Sequence, residues 1–304
     1  MKLFTSRSCQ AAAAAVVAAL LLSACSSDSG GDTRGASLKQ RVPDAIRAAG
    51  VIRVGASYTA APVIFQGTDG KAAGLDADLA AALGNQLGVR LEFQNVGSFS
   101  AVLPGLLEKK YDIGMSGITD TGDRQQGLDQ DGALVNNGVD FVDYFMAGTG
   151  MVVRKGNPGK IAVIDDLCGR TVSVKKGTIH YELTARQQKA CGYLGKPLKL
   201  LEASTDAESL EHLSSGSADV YVTDYPKAQY NAQTVDGGRA FEVAGPQIQS
   251  RPYGIAVRKT DSALRDVLVK AMNAIIQDGS YDKVLADHQL SAGVIQYSVV
   301  NGGR

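Results

Sequence analysis

A short polar segment decides the fold prediction: residues 117–124 read GITDTGDR. The segment follows a predicted strand over 111–116, and Thr121 is placed to cap a helix that has Arg124 in its first turn. The helix dipole disfavours a positive side chain at that end of a helix. The placement is explained if Arg124 binds a carboxylate there, or if it pairs with a neighbouring aspartate on the surface.

Predicted strands and helices alternate on both sides of this segment. Leu79, Leu83 and Leu87 lie four residues apart on one helix face, whereas Val89, Leu91 and Phe93 alternate with polar residues as in a strand. Repeated β-α-β units predict an α/β fold with mainly parallel sheets, in which ligands bind outside the carboxyl ends of strands. The remaining predicted elements are helices over about 38–49, 99–109, 179–191 and 262–279, and strands over 51–56, 171–174 and 218–223.

The composition excludes several functional classes. The 304 residues are 44% hydrophobic and 20% charged, and the formal net charge of zero gives no sign of a nucleic-acid partner. Only three histidines are present, and no hydrolase, kinase or dinucleotide-binding motif occurs. No cysteine or histidine spacing is typical of a metal site. We therefore expect no catalytic residues, no metal and no cofactor.

The first 24 residues are predicted to be a signal peptide. Lys2 and Arg7 precede an apolar run that is too short to span a bilayer. The run ends in Leu22-Ser23-Ala24-Cys25, which resembles the lipobox of bacterial lipoproteins and implies a lipid on Cys25. The alternative is an ordinary secretory signal with an incidental cysteine. Residues 25–42 are expected to be the lipidated cysteine and a flexible tether.

Two cysteines remain after the predicted signal peptide and lipid site are set aside. Cys168 and Cys191 are an even pair in a chain that is predicted to be exported, where disulfides are stable. A disulfide between them is the favoured interpretation, and two buried free thiols are the alternative.

An ordered series of short motifs resembles the extracellular polar-amino-acid-binding proteins of ABC importers. The matching segments are 74–79 (GLDADL), 99–106, 111–113 (YDI), 117–124, 139–141, 175–178 (KKGT), 218–224 (ADVYVTD), 252–255 and 279–281. The resemblance implies a periplasmic-binding-protein-like type II fold, with two α/β lobes joined by a two-strand hinge near 147–149 and 249–252. It assigns residues 43–145 plus 254–304 to lobe 1 and residues 150–249 to lobe 2.

The same resemblance implies a ligand site and a role. Arg124, with the main-chain N–H groups of Thr178 and Ile179, is expected to bind an α-carboxylate. Gly117, Thr119 and Asp224 are expected to bind an α-ammonium group. Phe99 is expected to pack on the ligand, although a core aromatic is an alternative. The implied protein is a monomer and not an enzyme, and it is held on the outer face of the cell membrane by a lipid and passes an amino acid to an ABC permease.

Two departures from the family pattern concern the ligand's side chain. Ser57 stands where the glutamine-specific branch has an aspartate, and Ala60 stands where an aromatic residue is common, so Tyr58 is considered as a substitute ring. The 125–138 loop is longer than usual. Lys175 is then the main positive group near the ligand, unless it is solvated beside Lys176, and we predict glutamate or glutamine with rejection of lysine and arginine. An amino-acid sensor and an enzyme resembling cyclohexadienyl dehydratase are the alternative functions.

Overall fold

The computed structural model describes residues 37–129 and 131–303. The predicted signal peptide, Cys25 and most of the predicted tether therefore lie outside the described residues. The last residues of that tether are ordered, because Leu38–Arg41 form a helix and Leu38 packs against the main hydrophobic core. The tether prediction is thus too long at its C-terminal end.

Strands and helices alternate along the chain as predicted. The strands are β1 (Val51–Ala56), β2 (Thr59–Ala60), β3 (Ile64–Gln66), β4 (Ala72–Ala73), β5 (Arg90–Asn95), β6 (Ile113–Gly114), β7 (Val139–Arg154), β8 (Thr171–Lys175), β9 (Lys199–Ala203), β10 (Val220–Asp224) and β11 (Phe241–Arg258). The helices are α1 (Leu38–Arg41), α2 (Asp44–Ala49), α3 (Leu75–Leu87), α4 (Val102–Leu107), α5 (Gly122–Gln126), α6 (Ile179–Tyr193), α7 (Asp206–Ser214), α8 (Tyr225–Thr234), α9 (Ser262–Gln277) and α10 (Ser280–Asp287).

One eight-stranded sheet runs through the molecule in the order β5-β1-β6-β11-β7-β10-β8-β9. At one end β1 pairs in parallel with β5 and β6, and at the other end β8 pairs in parallel with β9 and β10. The two long strands β7 and β11 pair antiparallel in the middle, with register shifts near residues 244–254. The predicted type of fold, with parallel β-α-β units at both ends, is confirmed.

The buried apolar residues form separate cores on either side of the central strands. Lobe 1 here denotes the part with the cores drawn from residues 42–147 and 253–290, and lobe 2 denotes the part with the cores drawn from residues 151–244. Strands β7 and β11 pass between them, and the predicted hinge segments lie within these strands. The lobe boundaries themselves stay predictions.

Several element boundaries differ from the predictions for local reasons. The single helix predicted over 38–49 is two helices, because Val42 is extended (ψ 132°) before Pro43. A residue that precedes proline is disfavoured in the helical region, so the helix ends there. The predicted strand 111–116 contains only the two paired residues of β6, and the predicted helix 99–109 begins with a 3₁₀ turn.

The predicted disulfide between Cys168 and Cys191 is present, and their Cα atoms are 5.1 Å apart. Cys191 is buried in the lobe 2 core near the end of α6, and Cys168 packs against the same core. The alternative of two free thiols is therefore wrong. Within residues 37–129 and 131–303, no helix is both long and apolar enough to cross a membrane.

Candidate ligand-binding site

The predicted ligand residues of both lobes line one cavity. All nine of them are in its wall, together with four residues that were not predicted. The lining residues are Ser57, Ala60, Phe99, Ser116, Gly117, Thr119, Arg124, Lys175, Thr178, Ile179, His180, Asp224 and Lys227. They come from loops that follow strands and from the first turns of helices, where we expected ligands to bind.

Arg124 lies in the first turn of α5, and Thr121 caps this helix as predicted by accepting from the Arg124 N–H. The guanidinium donates to the Thr119 carbonyl at 2.7 Å and, across the cavity, to the Gly177 carbonyl at 3.3 Å. Among the residues that the structure describes, no carboxylate lies within ion-pair distance of it. A guanidinium whose hydrogen bonds go to neutral carbonyl groups in a cleft has capacity to bind an anion.

The first turn of α6 faces Arg124 from lobe 2. Thr178 caps the helix by accepting from the Tyr181 N–H at 3.1 Å, and its hydroxyl donates to the Lys175 carbonyl at 2.8 Å. Gly177 makes the turn that leads to the helix with a φ of +71°, and a Cβ there would lie 3.2 Å from Cβ of Ser100 in lobe 1. The main-chain N–H groups at this helix start form a site for an anion, next to the guanidinium.

The loop over 117–119 is held in place from behind by Asp76, the second residue of α3. Asp76 is fully buried and accepts from the Gly117 N–H at 2.9 Å and from the Tyr144 hydroxyl at 2.7 Å. Burial raises the pKa of Asp76 to about 7. With the Gly117 N–H bonded to Asp76, the Gly117 carbonyl and the buried Thr119 hydroxyl are the groups of this loop that can accept from a ligand.

Asp224 ends β10 and is almost fully buried at the base of the cavity. Its carboxylate oxygens contact His180 Nε2 at 3.1 Å and Lys227 Nζ at 2.5 Å. An ionised carboxylate only accepts, so His180 donates to it from Nε2, and His180 Nδ1 is hydrogen-bonded to the Thr149 hydroxyl at 2.8 Å. Burial alone would raise the pKa of Asp224, but the charge of Lys227 and the bond from His180 outweigh it and hold that pKa well below its usual value.

Lys175 is buried and ion-paired, so its solvated alternative is wrong. Its ammonium contacts Asp206, whose other oxygen lies 3.4 Å from Lys227 Nζ and accepts from the Tyr221 hydroxyl at 2.7 Å. Burial would raise the pKa of Asp206, but Lys227 and Lys175 outweigh it and lower this pKa. The prediction that Lys175 is the main positive group near the ligand is therefore wrong, because Lys227 also lines the cavity and Asp206 lies between the two lysines.

The first loop of lobe 1 brings Ser57 and Ala60 to the cavity but not Tyr58. Ser57 is buried, and its hydroxyl lies 3.2 Å from that of Thr59. The Tyr58 ring packs against the small core of Ala56, Ala60 and Ile64, so the proposal that it replaces the family's aromatic residue is wrong. The long loop over 125–138 folds back on itself through a bridge between Leu128 and Leu134.

Phe99 contacts two of the three cationic side chains that line the cavity. Its ring centroid is 5.7 Å from Cζ of Arg124 and 5.2 Å from Nζ of Lys175. The ring also packs against the core that contains Val102 and Leu106, so the core role and the ligand role are compatible. A cation over an aromatic face is stabilised by the ring quadrupole, and the ring helps to fix both cations.

Ser116, His180, Asp206 and Lys227 are the site residues that the sequence analysis missed. Asp206 is the first residue of α7, where the helix dipole alone explains an acidic side chain. Lys227 follows Asp224 by three residues at the start of α8, and this i, i+3 spacing was the available signal. In the described ranges, no group of three or more His, Cys, Asp or Glu side chains is placed to hold a metal ion.

Comparison with known proteins identifies the family. Residues 52–289 match the bacterial extracellular solute-binding proteins, family 3. The arginine-binding protein ArgT of Corynebacterium glutamicum is 27% identical over 266 residues, or 87% of this chain and 82% of the relative. A solved ancestral arginine-binding protein bound to arginine is 34% identical with a TM-score of 0.68, and the match covers 78% of this chain and 97% of that one. Another structure, of an ancestral arginine-binding protein bound to glutamine, is 32% identical with a TM-score of 0.68 and covers 79% and 98%. Since the family match covers well over half of the sequence, this chain belongs to family 3 of the bacterial extracellular solute-binding proteins.

Proposed function

We propose that this protein binds a small polar amino acid outside the cell, with glutamate or glutamine as the ligand, and delivers it to an ABC-type importer. The observation that supports this proposal most directly is the guanidinium of Arg124. It faces the start of α6 across a cavity, and no carboxylate among the described residues pairs with it. A ligand carboxylate would supply the missing charge.

Each end of an amino-acid head group would find partners on both sides of the cavity. The α-carboxylate would accept from Arg124 in lobe 1 and from the N–H groups of Thr178 and Ile179 in lobe 2. The α-ammonium would donate to the Gly117 carbonyl, the Thr119 hydroxyl and the Asp224 carboxylate. Because the partners for each charge come from both lobes, the ligand would favour the closed arrangement.

The ligand's side chain is the point at which this proposal departs from the named relatives. Two of the similar proteins bind arginine by name, which makes arginine the second candidate ligand. The cavity of this chain contains the cations Arg124, Lys175 and Lys227, and both nearby carboxylates are already paired with lysine. A cationic ligand side chain would therefore meet lysines and carboxylates that already have a cation as partner, which supports glutamate or glutamine over arginine.

The proposed place of action is the outer face of the cell membrane. Export follows from the predicted signal peptide, and anchoring follows from the predicted lipid on Cys25. The partner would be a membrane permease that accepts the ligand from the closed protein, which acts as a monomer. A sensor that signals to a membrane partner would use the same site, and only the identity of that partner distinguishes the two roles.

The test of the head-group assignment is Arg124→Ala, with Arg186→Ala on the exposed surface of α6 as the matched control. We expect Arg124→Ala to cost about 2–5 kcal/mol of binding free energy, because an enclosed carboxylate loses its cation. The control should bind like the unmodified protein. Isothermal titration calorimetry measures both, and unchanged affinity in Arg124→Ala would contradict the proposal.

The enzyme alternative has its own assay. A dehydratase on this scaffold would convert prephenate or arogenate, and product formation is followed by ultraviolet absorbance. Because Asp224 and Asp206 are held ionised by lysines, neither can act as a general acid at neutral pH. Among the described side chains that line the cavity, Asp224 is the one carboxylate, so we expect no turnover.

A further inference from the structure

Two lysines and two aspartates form a chain of ion pairs beneath the cavity in lobe 2. Lys175 at the end of β8 contacts Asp206 of α7, Asp206 contacts Lys227 of α8, and Lys227 contacts Asp224 at the end of β10. All four side chains are at least nine-tenths buried, and Lys175, Lys227 and Asp224 also line the cavity. Four separate elements of lobe 2 thus fix the positions of these charges.

Lys227 is already paired with Asp224, the carboxylate that the ligand's ammonium is expected to contact. Its Nζ lies 2.5 Å from one oxygen of Asp224, and the other oxygen accepts from His180. An α-ammonium that enters the cavity therefore meets a carboxylate whose charge is already balanced. The attraction between the two is weaker than in a site where the aspartate has no internal cation.

The positive side chains that line the cavity outnumber the carboxylates paired with them, with His180 left out of the count. Arg124, Lys175 and Lys227 supply three positive charges, and among the described residues Asp206 and Asp224 are the carboxylates within ion-pair distance of these cations. The carboxylates of Glu182, Asp120 and Asp123 act on Arg124 from beyond that distance. Asp76 lies behind Gly117, and its pKa of about 7 leaves it only partly charged at neutral pH. Burial lowers the pKa of Lys175. The negative charge of Asp206 opposes this shift, and the positive charge of Lys227 adds to it. A zwitterionic head group does not change this excess, whereas a second ligand carboxylate removes it.

We infer that Lys227 determines the ligand class by neutralising Asp224, and that it thereby selects a dicarboxylic amino acid such as glutamate over the corresponding amide and over basic amino acids. This inference rests on the proposed function, because it concerns the side chain of the same ligand. Closing the cleft over an unpaired positive charge is costly, so the ligand that supplies the second negative charge is favoured.

The first measurement compares ligands on the unmodified protein. Titration calorimetry with glutamate, aspartate, glutamine, asparagine, lysine and arginine ranks the affinities under one buffer and salt concentration. We expect glutamate to bind at least about tenfold more tightly than glutamine, which corresponds to the preference that a single compensated charge provides. Lysine and arginine should bind more weakly than both.

The second measurement compares variants of Lys227. Lys227→Met keeps the length and apolar stem of the side chain but removes its charge, and Lys227→Arg keeps the charge. Lys176→Met is a matched control, because Lys176 is exposed and pairs with Glu202 away from the cavity. We expect Lys227→Met to reduce the ratio of glutamate to glutamine affinity about tenfold, while Lys227→Arg retains most of it and Lys176→Met leaves it unchanged.

The outcomes separate this inference from the proposed function. If the unmodified protein binds glutamine, arginine or lysine most tightly, the inference is wrong but amino-acid binding stands. If it binds no amino acid, the proposed function fails and the inference fails with it. If Lys227→Met does not fold, Lys227→Gln replaces it, and the ranking on the unmodified protein alone is enough to overturn the inference.

Discussion

Two buried carboxylates lie next to each other. One is Asp120, which stands between Thr119 and Arg124 in the chain, and the other is Asp143. The C-terminal segment supplies main-chain donors to both: the Gly303 N–H donates to Asp120 at 2.8 Å, and the Gly302 N–H donates to Asp143 at 3.0 Å. Burial, followed by the negative charge of Asp120, raises the pKa of Asp143 to about 8. One proton on the pair prevents two like charges from being buried together.

This pair predicts how stability depends on pH. The pKa of Asp143 is about 8 in the folded state and about 4 in an unfolded chain, so the folded state retains a proton that the unfolded state releases. The stabilisation is complete below about pH 4 and is lost as the pH rises through about 8. We expect the free energy of unfolding to fall over this range, and Asp143→Asn to make the fall shallower. Asp76, with a raised pKa of about 7, should account for part of the decrease in unfolding free energy with pH that remains in Asp143→Asn.

Urea unfolding at several pH values between 5 and 8 measures this effect. Asp287→Asn is the matched control, because Asp287 is exposed and pairs with Lys283 on the surface. The control should keep the slope of the unmodified protein. A slope in Asp143→Asn equal to that of the control would show that the carboxylate pair is not the cause.

Helix α6 connects the binding site to the disulfide. Its first turn lines the cavity, and Cys191 near its other end is joined to Cys168, which precedes β8. Strand β8 ends at Lys175 and leads through Gly177 back to the start of α6. The disulfide therefore closes a loop of lobe 2 that contains two contact points with lobe 1. These are Gly177, which contacts Arg124, and Lys175, which contacts Phe99.

Removing the disulfide is expected to affect stability more than binding. The double substitution Cys168→Ser and Cys191→Ser should lower the free energy of unfolding by about 3 kcal/mol, because the unfolded chain regains the entropy of an open loop. The ligand affinity should stay within about twofold, because neither cysteine lines the cavity. Guanidinium unfolding and calorimetry measure the two quantities.

The control is the unmodified protein, whose stability and ligand affinity are measured with and without a reductant. The reductant should reproduce the loss of stability and should have no effect on the double variant. A large loss of affinity with little loss of stability would mean that the disulfide positions the helix start directly.

The two lobes contact each other through residues of the cavity itself. The guanidinium of Arg124 reaches the Gly177 carbonyl, and the Lys175 ammonium lies over the Phe99 ring. The strands β7 and β11 are the continuous connections between the lobes. A ligand that replaces these contacts with stronger ones from both sides would stabilise the closed molecule, which is the state that a permease would recognise.

The predicted anchor is tested on the whole molecule. Cys25→Ser should move the protein from the membrane fraction to the soluble exported fraction, because a lipid on the cysteine is expected to be the attachment. Fractionation and immunoblotting of cells that express either form measure this distribution. Cys9→Ser, within the predicted signal peptide, is the matched control and should not change it. A Cys25→Ser protein that stays on the membrane to the same degree would contradict the lipobox interpretation.

The sequence by itself determined the type of fold and nine of the residues that line the cavity. The motif residues lie at strand ends and helix starts, and local signals such as Thr121, Thr178 and Gly177 place those points along the chain. Because parallel strands bring their carboxyl ends to one edge of a sheet, these residues meet in space. The family pattern then related them to a common ligand.

Only the tertiary structure decided which buried charges pair and which side chains face the cavity. Lys175 and Asp206 are 31 residues apart, and their pairing depends on how α7 packs beside β8. Tyr58 points to a small core while Ala60 faces the cavity, which depends on how the three short strands β2, β3 and β4 pack. Local sequence patterns specify where elements begin and end, but the partner of a buried charge depends on the packing of distant elements.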